Sequence, residues 1–222
     1  MTKKNKIWKY FKEYQWSNIF AMIRNSRLDP QICDDDFKDK LVVITGATSG
    51  IGYIAAKKYA SKGANLICLN RNKEKSETLS KKIEATYNVK CKYLIADLSK
   101  MEDVYKVANE LLKIQEPIDV LIHNAGVYLT EKELTDDGIE MVFMVHYLSS
   151  FIINFKLKEK LKAQEKSRII LVNSEGHRFA AWGLKLDDLY FSKRKYTGLR
   201  SYGSAKTAQL LSMLKFNEYF KN

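Results

Sequence analysis

Cysteine, histidine and proline are scarce in this chain of 222 residues, which contains three, three and two of them. Cys33, Cys68 and Cys91 form no C-x-x-C pair, so the sequence predicts neither a disulfide framework nor a metal site. A reducing compartment, and hence a cytoplasmic location, is the expectation. Cys68 and Cys91 fall inside apolar runs, where a thiol serves as a small core residue.

Long apolar runs are also missing, and no uncharged apolar stretch follows the basic N-terminus, so the sequence predicts neither a membrane span nor a secretory signal. Hydrophobic residues make up 45% of the chain, which is enough for one domain with a sizeable core. The net charge of +12 is spread over lysines mixed with acidic residues. No nucleic-acid motif accompanies that charge, so a nucleic-acid partner is not expected.

The first 38 residues form a predicted helical extension that precedes a larger unit at 39–222. Apolar residues recur three and four apart between Asn5 and Arg24, after a lysine-rich start. Two interpretations are open: the helix packs on the body of the protein, which we favour, or it makes a weak contact with a membrane surface. Pro30 and the aspartates after it indicate a turn.

From Lys40 onward, short apolar runs alternate with segments of helical periodicity. This alternation predicts a Rossmann-like α/β fold, a doubly wound parallel sheet with helices on both faces. The predicted strands are 41–45, 65–69, 91–96, 118–123 and 168–173. The predicted helices are 52–62, 74–86, 103–114, 138–162 and 201–219.

A glycine-rich turn connects the first predicted strand to the first helix of this unit. Glycine permits a tight turn there and lets the backbone approach a pyrophosphate. The free N–H groups at the start of the following helix favour the same anion. The predicted phosphate site comprises Gly46, Thr48, Ser49, Gly50, Ile51 and Gly52.

Tyr202 and Lys206 lie four residues apart on the last predicted helix and therefore share one of its faces. A phenol has a reference pKa of about 10, and a nearby ammonium favours the phenolate. A lysine one turn from a tyrosine is therefore suited to proton transfer near neutral pH. The same spacing is common on helices without a catalytic role. The Tyr202–Lys206 pair therefore indicates a reaction centre only in combination with the glycine turn.

These motifs occur in a fixed order, on the predicted elements. Thr45–Gly52 reads T-G-x-x-x-G-x-G, Asn124–Gly126 reads N-A-G, Ser174 follows the fifth strand, and Tyr202–Lys206 reads Y-x-x-x-K. The set, which spans residues 41 to about 220, resembles the short-chain dehydrogenase/reductase family. The N-terminal extension and residues 131–138 resemble its retinol-dehydrogenase-like and DHRS-type members.

The resemblance implies an oxidoreductase that exchanges a hydride between NADP(H) and a small-molecule carbonyl or alcohol. It assigns Tyr202 as the acid or base, Lys206 as its activator and a ligand of the nicotinamide ribose, and Ser174 as a hydrogen-bond partner of the substrate oxygen. It also implies a homodimer formed through two long helices. The further nucleotide-binding positions it implies are Asp97, Leu98, Asn124, Ala125 and Gly126.

The choice between NAD(H) and NADP(H) depends on the end of the second predicted strand. A carboxylate there binds the ribose 2′-hydroxyl in NAD-type sites, whereas this chain has Asn70 followed by Arg71. A neutral Asn70 does not repel a 2′-phosphate, and Arg71 has the charge to bind it. The sequence therefore favours NADP(H), although a solvated surface arginine is the alternative for Arg71.

Two departures from the family pattern leave an alternative open. His146 stands where related members have an asparagine that holds a water for the proton relay of the lysine. Its two ring nitrogens make His146 a candidate catalytic residue in that role, and lost activity is the other interpretation. The chain also ends before the sixth and seventh strands of the family. The fifth strand is therefore expected to be an apolar sheet edge. Much of the substrate pocket is expected to be missing, and Tyr128 and Trp182 are expected to border the part that is present. The alternative is a catalytically impaired nucleotide-binding homologue, or a fragment that acts as a scaffold.

Overall fold

The computed structural model describes residues 16–29, 31–179 and 184–221. The predictions made for residues 5–15, for Pro30 and for Trp182 lie outside these ranges. Within them, the predicted strands and helices are all found, and their ends differ from the predicted ones by a few residues.

Five parallel strands form one sheet in the order β3-β2-β1-β4-β5. The strands are β1 (Leu41–Thr45), β2 (Asn65–Asn70), β3 (Cys91–Ile95), β4 (Val120–His123) and β5 (Arg168–Leu171). The order reverses between β2 and β4, on either side of β1, and this is where open α/β sheets bind ligands beyond their carboxyl ends. The predicted Rossmann-like parallel sheet is therefore confirmed, with β5 at one edge.

Helices connect the strands and flank the sheet. They are α1 (Trp16–Ser26), α2 (Gly50–Ser61), α3 (Lys73–Tyr87), α4 (Met101–Lys113), α5 (Met141–Phe143), α6 (Ser149–Lys162) and α7 (Gly198–Lys221). A π-helical turn, Met144–Leu148, joins α5 to α6. The long helix predicted for 138–162 is thus interrupted around His146, and such turns are frequent at functional sites.

Alternate residues of the buried strands point to opposite faces of the sheet, so the protein has two cores. On one face, Val42 and Ile44 of β1 pack in a cluster that includes Ala56 of α2 and Leu79 of α3. On the other, Val43 packs in a cluster with residues from α4, α6 and α7. Cys68 and Cys91 are buried in the first cluster, which confirms that they act as small core residues.

The N-terminal helix α1 reaches the loop after β5. Asn25 Nδ2 donates a hydrogen bond to Glu175 Oε1 over 3.0 Å. The Phe20 side chain on the same helix is 62% exposed. None of the helices in the described part of the chain is long and apolar enough to cross a bilayer.

Candidate active site

The glycine turn between β1 and α2 lies at the carboxyl edge of the sheet, where Gly46 and Gly50 adopt positive φ angles of +69° and +54°. Apart from Gly50, its chain neighbours and the backbone of its own helix, no described residue has an atom within 4 Å of the place where a Cβ on Gly50 would stand. Ser49 is the N-cap of α2, and its side chain makes no capping hydrogen bond. The first turn of α2 is therefore open toward solvent, as an anion site requires.

Close packing of backbone against backbone fixes the inner side of this turn. A Cβ on Gly52 would lie 2.2 Å from the carbonyl oxygen of Gly46 and 2.4 Å from Asn124 Nδ2. Asn124 Nδ2 donates to the carbonyl oxygens of Thr45 and Gly46, each over 3.1 Å. Gly52 is thus required for α2 to approach β1 this closely, and Asn124 connects the turn to the end of β4.

Thr45 is the second link between β1 and the segment after β4. Its hydroxyl oxygen accepts hydrogen bonds from the backbone N–H groups of Asn124, over 3.0 Å, and Ala125, over 2.9 Å. Thr45 is 1% exposed, so the oxygen that both donors meet is shielded from solvent. Sequence reasoning used Thr45 only as part of the motif and missed this contact.

Asn70 and Arg71, at the end of β2, differ sharply in their surroundings. Asn70 is buried, and its Oδ1 accepts a 2.8 Å hydrogen bond from the backbone N–H of Ala47 in the glycine turn. Its Nδ2 has no hydrogen-bond partner among the described residues. Arg71 is exposed and forms no ion pair with any residue in those ranges. Asn70 therefore supports the turn, while the Arg71 guanidinium faces solvent beside it.

The predicted adenine-side residues follow β3. Asp97 is half-buried, and its Oδ1 accepts from the backbone N–H and the hydroxyl of Ser99, over 3.0 and 2.7 Å. Leu98 is buried in the core. The carboxylate of Asp97 therefore stabilises the turn after β3, at the same edge of the sheet as the glycine turn.

Tyr202, near the start of α7, is surrounded by three of the other predicted site elements. The His146 ring lies 5.1 Å from the Tyr202 ring, centroid to centroid, at an interplanar angle of 86°. The Tyr128 ring lies 5.8 Å away and is more than half exposed. Lys206 Nζ is 5.6 Å from the centroid of the phenol ring.

Lys206 is 3% exposed. Its Nζ donates a 2.6 Å hydrogen bond to the carbonyl oxygen of Val172, directly after β5. Burial lowers the pKa of this ammonium to about 8, because removing it from water disfavours the charged form. The side chain thus holds a cation beside Tyr202 that loses its proton only a little above neutral pH.

His146 lies in the π-helical turn, with its ring against Gly126 of the N-A-G segment. A Cβ on Gly126 would stand 2.2 Å from His146 Cε1. His146 Nε2 is 3.0 Å from the backbone nitrogen and 2.8 Å from the carbonyl oxygen of Val127, while its Nδ1 has no partner in the part of the chain that the structure describes. Burial, and next the charge of Lys206, lower the pKa of His146 to about 4, so the imidazole is neutral at pH 7.

Ser174 and Tyr202 both lie close to Gly176. The Ser174 hydroxyl accepts a 3.0 Å hydrogen bond from the backbone N–H of Gly176. A Cβ on Gly176 would stand 2.7 Å from Tyr202 Cε1 and 3.3 Å from Ser174 Oγ. The absence of a side chain at Gly176 therefore lets the hydroxyl and the phenol share one small region.

The structure brings Ser174, Tyr202, Lys206 and His146 together at the sheet edge that also carries the glycine turn. Sequence reasoning missed two side-chain amides behind them, the half-buried Asn173 and the buried Gln209. Gln209 lies three residues after Lys206, so it shares a helix face with it, and this spacing was the available signal. Across the described ranges, no group of three or more His, Cys, Asp or Glu side chains is arranged to hold a metal ion.

Comparison with known proteins identifies this arrangement. The model of the short chain dehydrogenase family matches residues 40–183, which include the glycine turn, the N-A-G segment and Ser174. The chain belongs to the short-chain dehydrogenase family. A nicotinamide dinucleotide is therefore the expected class of cofactor.

Curated relatives within the family agree with this placement. The chain is 36% identical to retinol dehydrogenase 13 of Homo sapiens over 175 residues, which are 78% of this chain and 52% of that protein. It is 34% identical to the WW domain-containing oxidoreductase of Homo sapiens over 182 residues, 79% of this chain and 44% of that protein. The chain spans about half the length of the curated relatives it matches.

Solved structures show the same fold. A short-chain dehydrogenase from Sphingobium yanoikuyae in complex with NADPH superimposes with a TM-score of 0.67. The two chains are 23% identical, and the match covers 82% of this chain and 66% of the other. At this identity the likeness extends to the fold alone.

Proposed function

We propose that this protein is an NADP(H)-dependent oxidoreductase that interconverts a carbonyl compound and its alcohol. The observation that carries the proposal is the placement of Tyr202, Lys206 and Ser174 at the sheet edge that presents the open glycine turn. Proton-transfer groups and a phosphate site are then neighbours, as a nicotinamide-dependent reaction on an oxygen-bearing carbon requires.

The glycine turn suits the pyrophosphate of a dinucleotide. Gly50 leaves open space outside the turn, and the first turn of α2 has no side-chain cap to compete with an anion. We assign the nucleotide to this turn, to Asn124–Gly126, and to the Asp97–Leu98 turn on the adenine side. When bound, the nicotinamide supplies or accepts a hydride at the substrate carbon.

The proton is handled by the chain's own side chains. In reduction the Tyr202 hydroxyl donates its proton to the substrate oxygen, and in oxidation the phenolate accepts one. The Lys206 ammonium, 5.6 Å from the centroid of the phenol ring, offsets the negative charge that develops on Tyr202 when its proton moves to the substrate. Ser174 Oγ, across Gly176 from the phenol ring, donates a hydrogen bond that orients the substrate oxygen.

The preference for NADP(H) rests on Asn70 and Arg71. The family's carboxylate position is occupied by Asn70, whose Oδ1 is already used by the Ala47 N–H. No negative charge at this residue opposes a ribose 2′-phosphate. The exposed Arg71 guanidinium is free to form charge-assisted hydrogen bonds with that phosphate.

A second candidate function, nucleotide binding without turnover, is favoured by His146. Its Nε2 is already engaged by the Val127 backbone, and its ring packs on Gly126. Because the imidazole is buried and neutral, it contributes a fixed contact between the π turn and the N-A-G segment. In the first candidate function His146 orients Tyr202 through ring packing. In the second it only packs against Gly126 and has no part in turnover.

Nucleotide binding to the wild type and Arg71→Ala tests the proposal, with Lys75→Ala as a control for the loss of a nearby exposed cation. Calorimetry with NADPH and NADH is expected to show tight NADPH binding that weakens at least tenfold in Arg71→Ala alone. NADH binding is expected to stay unchanged in all three proteins. Equal NADPH affinity in wild type and Arg71→Ala would contradict the cofactor preference, and failure to bind either nucleotide would contradict the function.

Turnover separates the two candidate functions. NADPH oxidation is followed with a panel of aldehydes and ketones for the wild type and for Tyr202→Phe, which keeps the ring packing and removes the ionisable hydroxyl. Turnover that disappears in Tyr202→Phe supports the oxidoreductase. Tight NADPH binding without turnover of any panel member supports the second candidate.

A further inference from the structure

Two side-chain amides lie behind the reaction centre and face each other between β5 and α7. Asn173 directly precedes Ser174, and Gln209 lies on α7, one turn after Lys206. Asn173 Nδ2 donates to Gln209 Oε1 over 3.0 Å. Gln209 is 2% exposed, so the pair is shielded from solvent at this end.

Each amide also binds the backbone of a candidate catalytic residue. Asn173 Oδ1 accepts from the Ser174 N–H over 2.8 Å, and Asn173 Nδ2 donates to the carbonyl oxygen of Lys206 over 2.9 Å. Gln209 Nε2 donates to the carbonyl oxygen of His146 over 3.0 Å. One pair of side chains therefore touches three elements: the segment after β5, helix α7 and the π-helical turn.

The partners fix the direction of every hydrogen bond in this chain of contacts. The carbonyl oxygens of Lys206 and His146 can only accept, so both must face amide nitrogens. Asn173 Nδ2 has two hydrogens, and both are used, one on Lys206 and one on Gln209. Reversing Gln209 would place oxygen against oxygen at a buried position, and reversing Asn173 would do so at a partly buried one; both are costly. The orientations of Asn173 and Gln209 are thus mutually dependent.

We propose that Asn173 and Gln209 are positioning residues that set the spacing of Ser174, Lys206 and His146 around Tyr202. The proposal rests on the function proposed above. Displacement of a catalytic group by about 1 Å can reduce turnover roughly 10²-fold, so a pair that touches the backbones of three such groups has a large effect on rate. The pair bonds backbone atoms of Lys206 and His146, and neither amide contacts the glycine turn, so NADPH affinity is expected to change much less than turnover.

Gln209→Met tests the proposal on the intact chain, because methionine has a similar length but can neither donate to His146 nor accept from Asn173. Turnover of the aldehyde and ketone panel is expected to fall by roughly 10- to 100-fold, with NADPH affinity within about twofold of wild type. Ser212→Ala is the matched control, since it removes a buried hydroxyl on α7 whose one partner among the described residues is the Gln209 carbonyl oxygen. Its turnover is expected to equal that of wild type.

A double variant distinguishes positioning by the pair from separate structural roles. If Asn173 and Gln209 act as a unit, Asn173→Ala combined with Gln209→Met loses no more turnover than the worse single variant. Multiplied losses would overturn the pairing. Wild-type turnover in Gln209→Met would overturn the proposal altogether.

A readout without substrate keeps this test separate from the test of the function. The Lys206 Nζ titration is followed by NMR of ¹³C-labelled lysine side chains and assigned with Lys206→Met. Gln209→Met is expected to shift its midpoint by at least about half a pH unit, and Ser212→Ala is expected not to. A shift in a protein that turns over no panel member would leave the positioning role standing while the proposed function fails. An unchanged midpoint together with unchanged turnover rejects the positioning role alone.

Discussion

Lys206 Nζ and the carbonyl oxygen of Val172 are joined by a 2.6 Å hydrogen bond, so the ammonium is anchored to the end of the sheet rather than free to follow a ligand. The bond also fixes its distance from the phenol ring, whose centroid is 5.6 Å away. Burial is the cost of this arrangement, and it brings the pKa of Lys206 down to about 8. The charge that assists Tyr202 therefore depends on pH within an accessible range.

The turnover rate is accordingly expected to fall above about pH 8, where Lys206 loses its positive charge. A lysine whose pKa is lowered carries its positive charge only below that pKa, so the rate falls as the pH rises through it. In Lys206→Arg the guanidinium stays charged, and the alkaline fall is expected to move to higher pH or disappear. Rate profiles from pH 6 to 10 check this, with Lys215→Met as an exposed control. An identical alkaline fall in Lys206→Arg would show that another group titrates.

Gly52→Ala is expected to abolish nucleotide binding, because its Cβ would stand 2.2 Å from the Gly46 carbonyl oxygen and so displace the glycine turn. Gly138→Ala is the control, since Gly138 has a φ of +74° but open space around it. That control is expected to lose about 1–2 kcal/mol of stability through backbone strain and to retain NADPH affinity. Calorimetry and urea unfolding measure both quantities. Retained affinity in Gly52→Ala would show that the turn tolerates the displacement.

Thr45→Val is expected to destabilise the fold at the carboxyl edge of the sheet. Valine keeps the shape of threonine but removes the oxygen that accepts from Asn124 and Ala125. A buried N–H left without a partner costs about 1–3 kcal/mol. Because Asn124 and Ala125 are half-buried, the free energy of unfolding is expected to fall by about 1–3 kcal/mol in total. Thr45→Ser retains the hydroxyl and is expected to lose less. Equal losses in the two variants would assign the effect to packing.

Acid is expected to weaken the fold through two buried histidines. Burial lowers the pKa of both His123 and His146 to about 4, whereas a histidine in the unfolded chain titrates near 6.5. The unfolded state therefore binds more protons between about pH 6.5 and 4, and stability falls as the pH is lowered through that window. The loss is about 1.4 kcal/mol for each unit of pKa difference at each residue. Urea unfolding at several pH values measures the slope, which is expected to decrease in His146→Asn.

Local patterns were sufficient to predict the sheet and its helices. Apolar runs such as Leu41–Thr45 lie between a glycine turn and polar segments, and this boundary is a property of neighbouring residues. The glycine turn and the Tyr202–Lys206 pair were predicted for the same reason, because their spacing along the chain carries the chemistry.

Contacts between distant segments could not be predicted in this way. The Thr45 hydroxyl bonds residues about eighty positions away, and Gln209 bonds His146, which is 63 positions away. No periodicity marks such partners, because they depend on how β4, β5 and α7 come together. The π-helical turn was equally invisible, since Met144–Leu148 continues the apolar pattern of an ordinary helix.

The π-helical turn also makes the orientation of His146 separable from the packing of α6 on the sheet. A π turn is equivalent to one extra residue in an α-helix, so α5 and α6 together amount to a regular helix with a single insertion. Deleting one residue of the turn would allow an uninterrupted helix. In that helix α6 would still pack on the sheet, while His146 would turn by about 100° around the helix axis. The contact between the His146 and Tyr202 rings therefore depends on the single extra residue of the π turn.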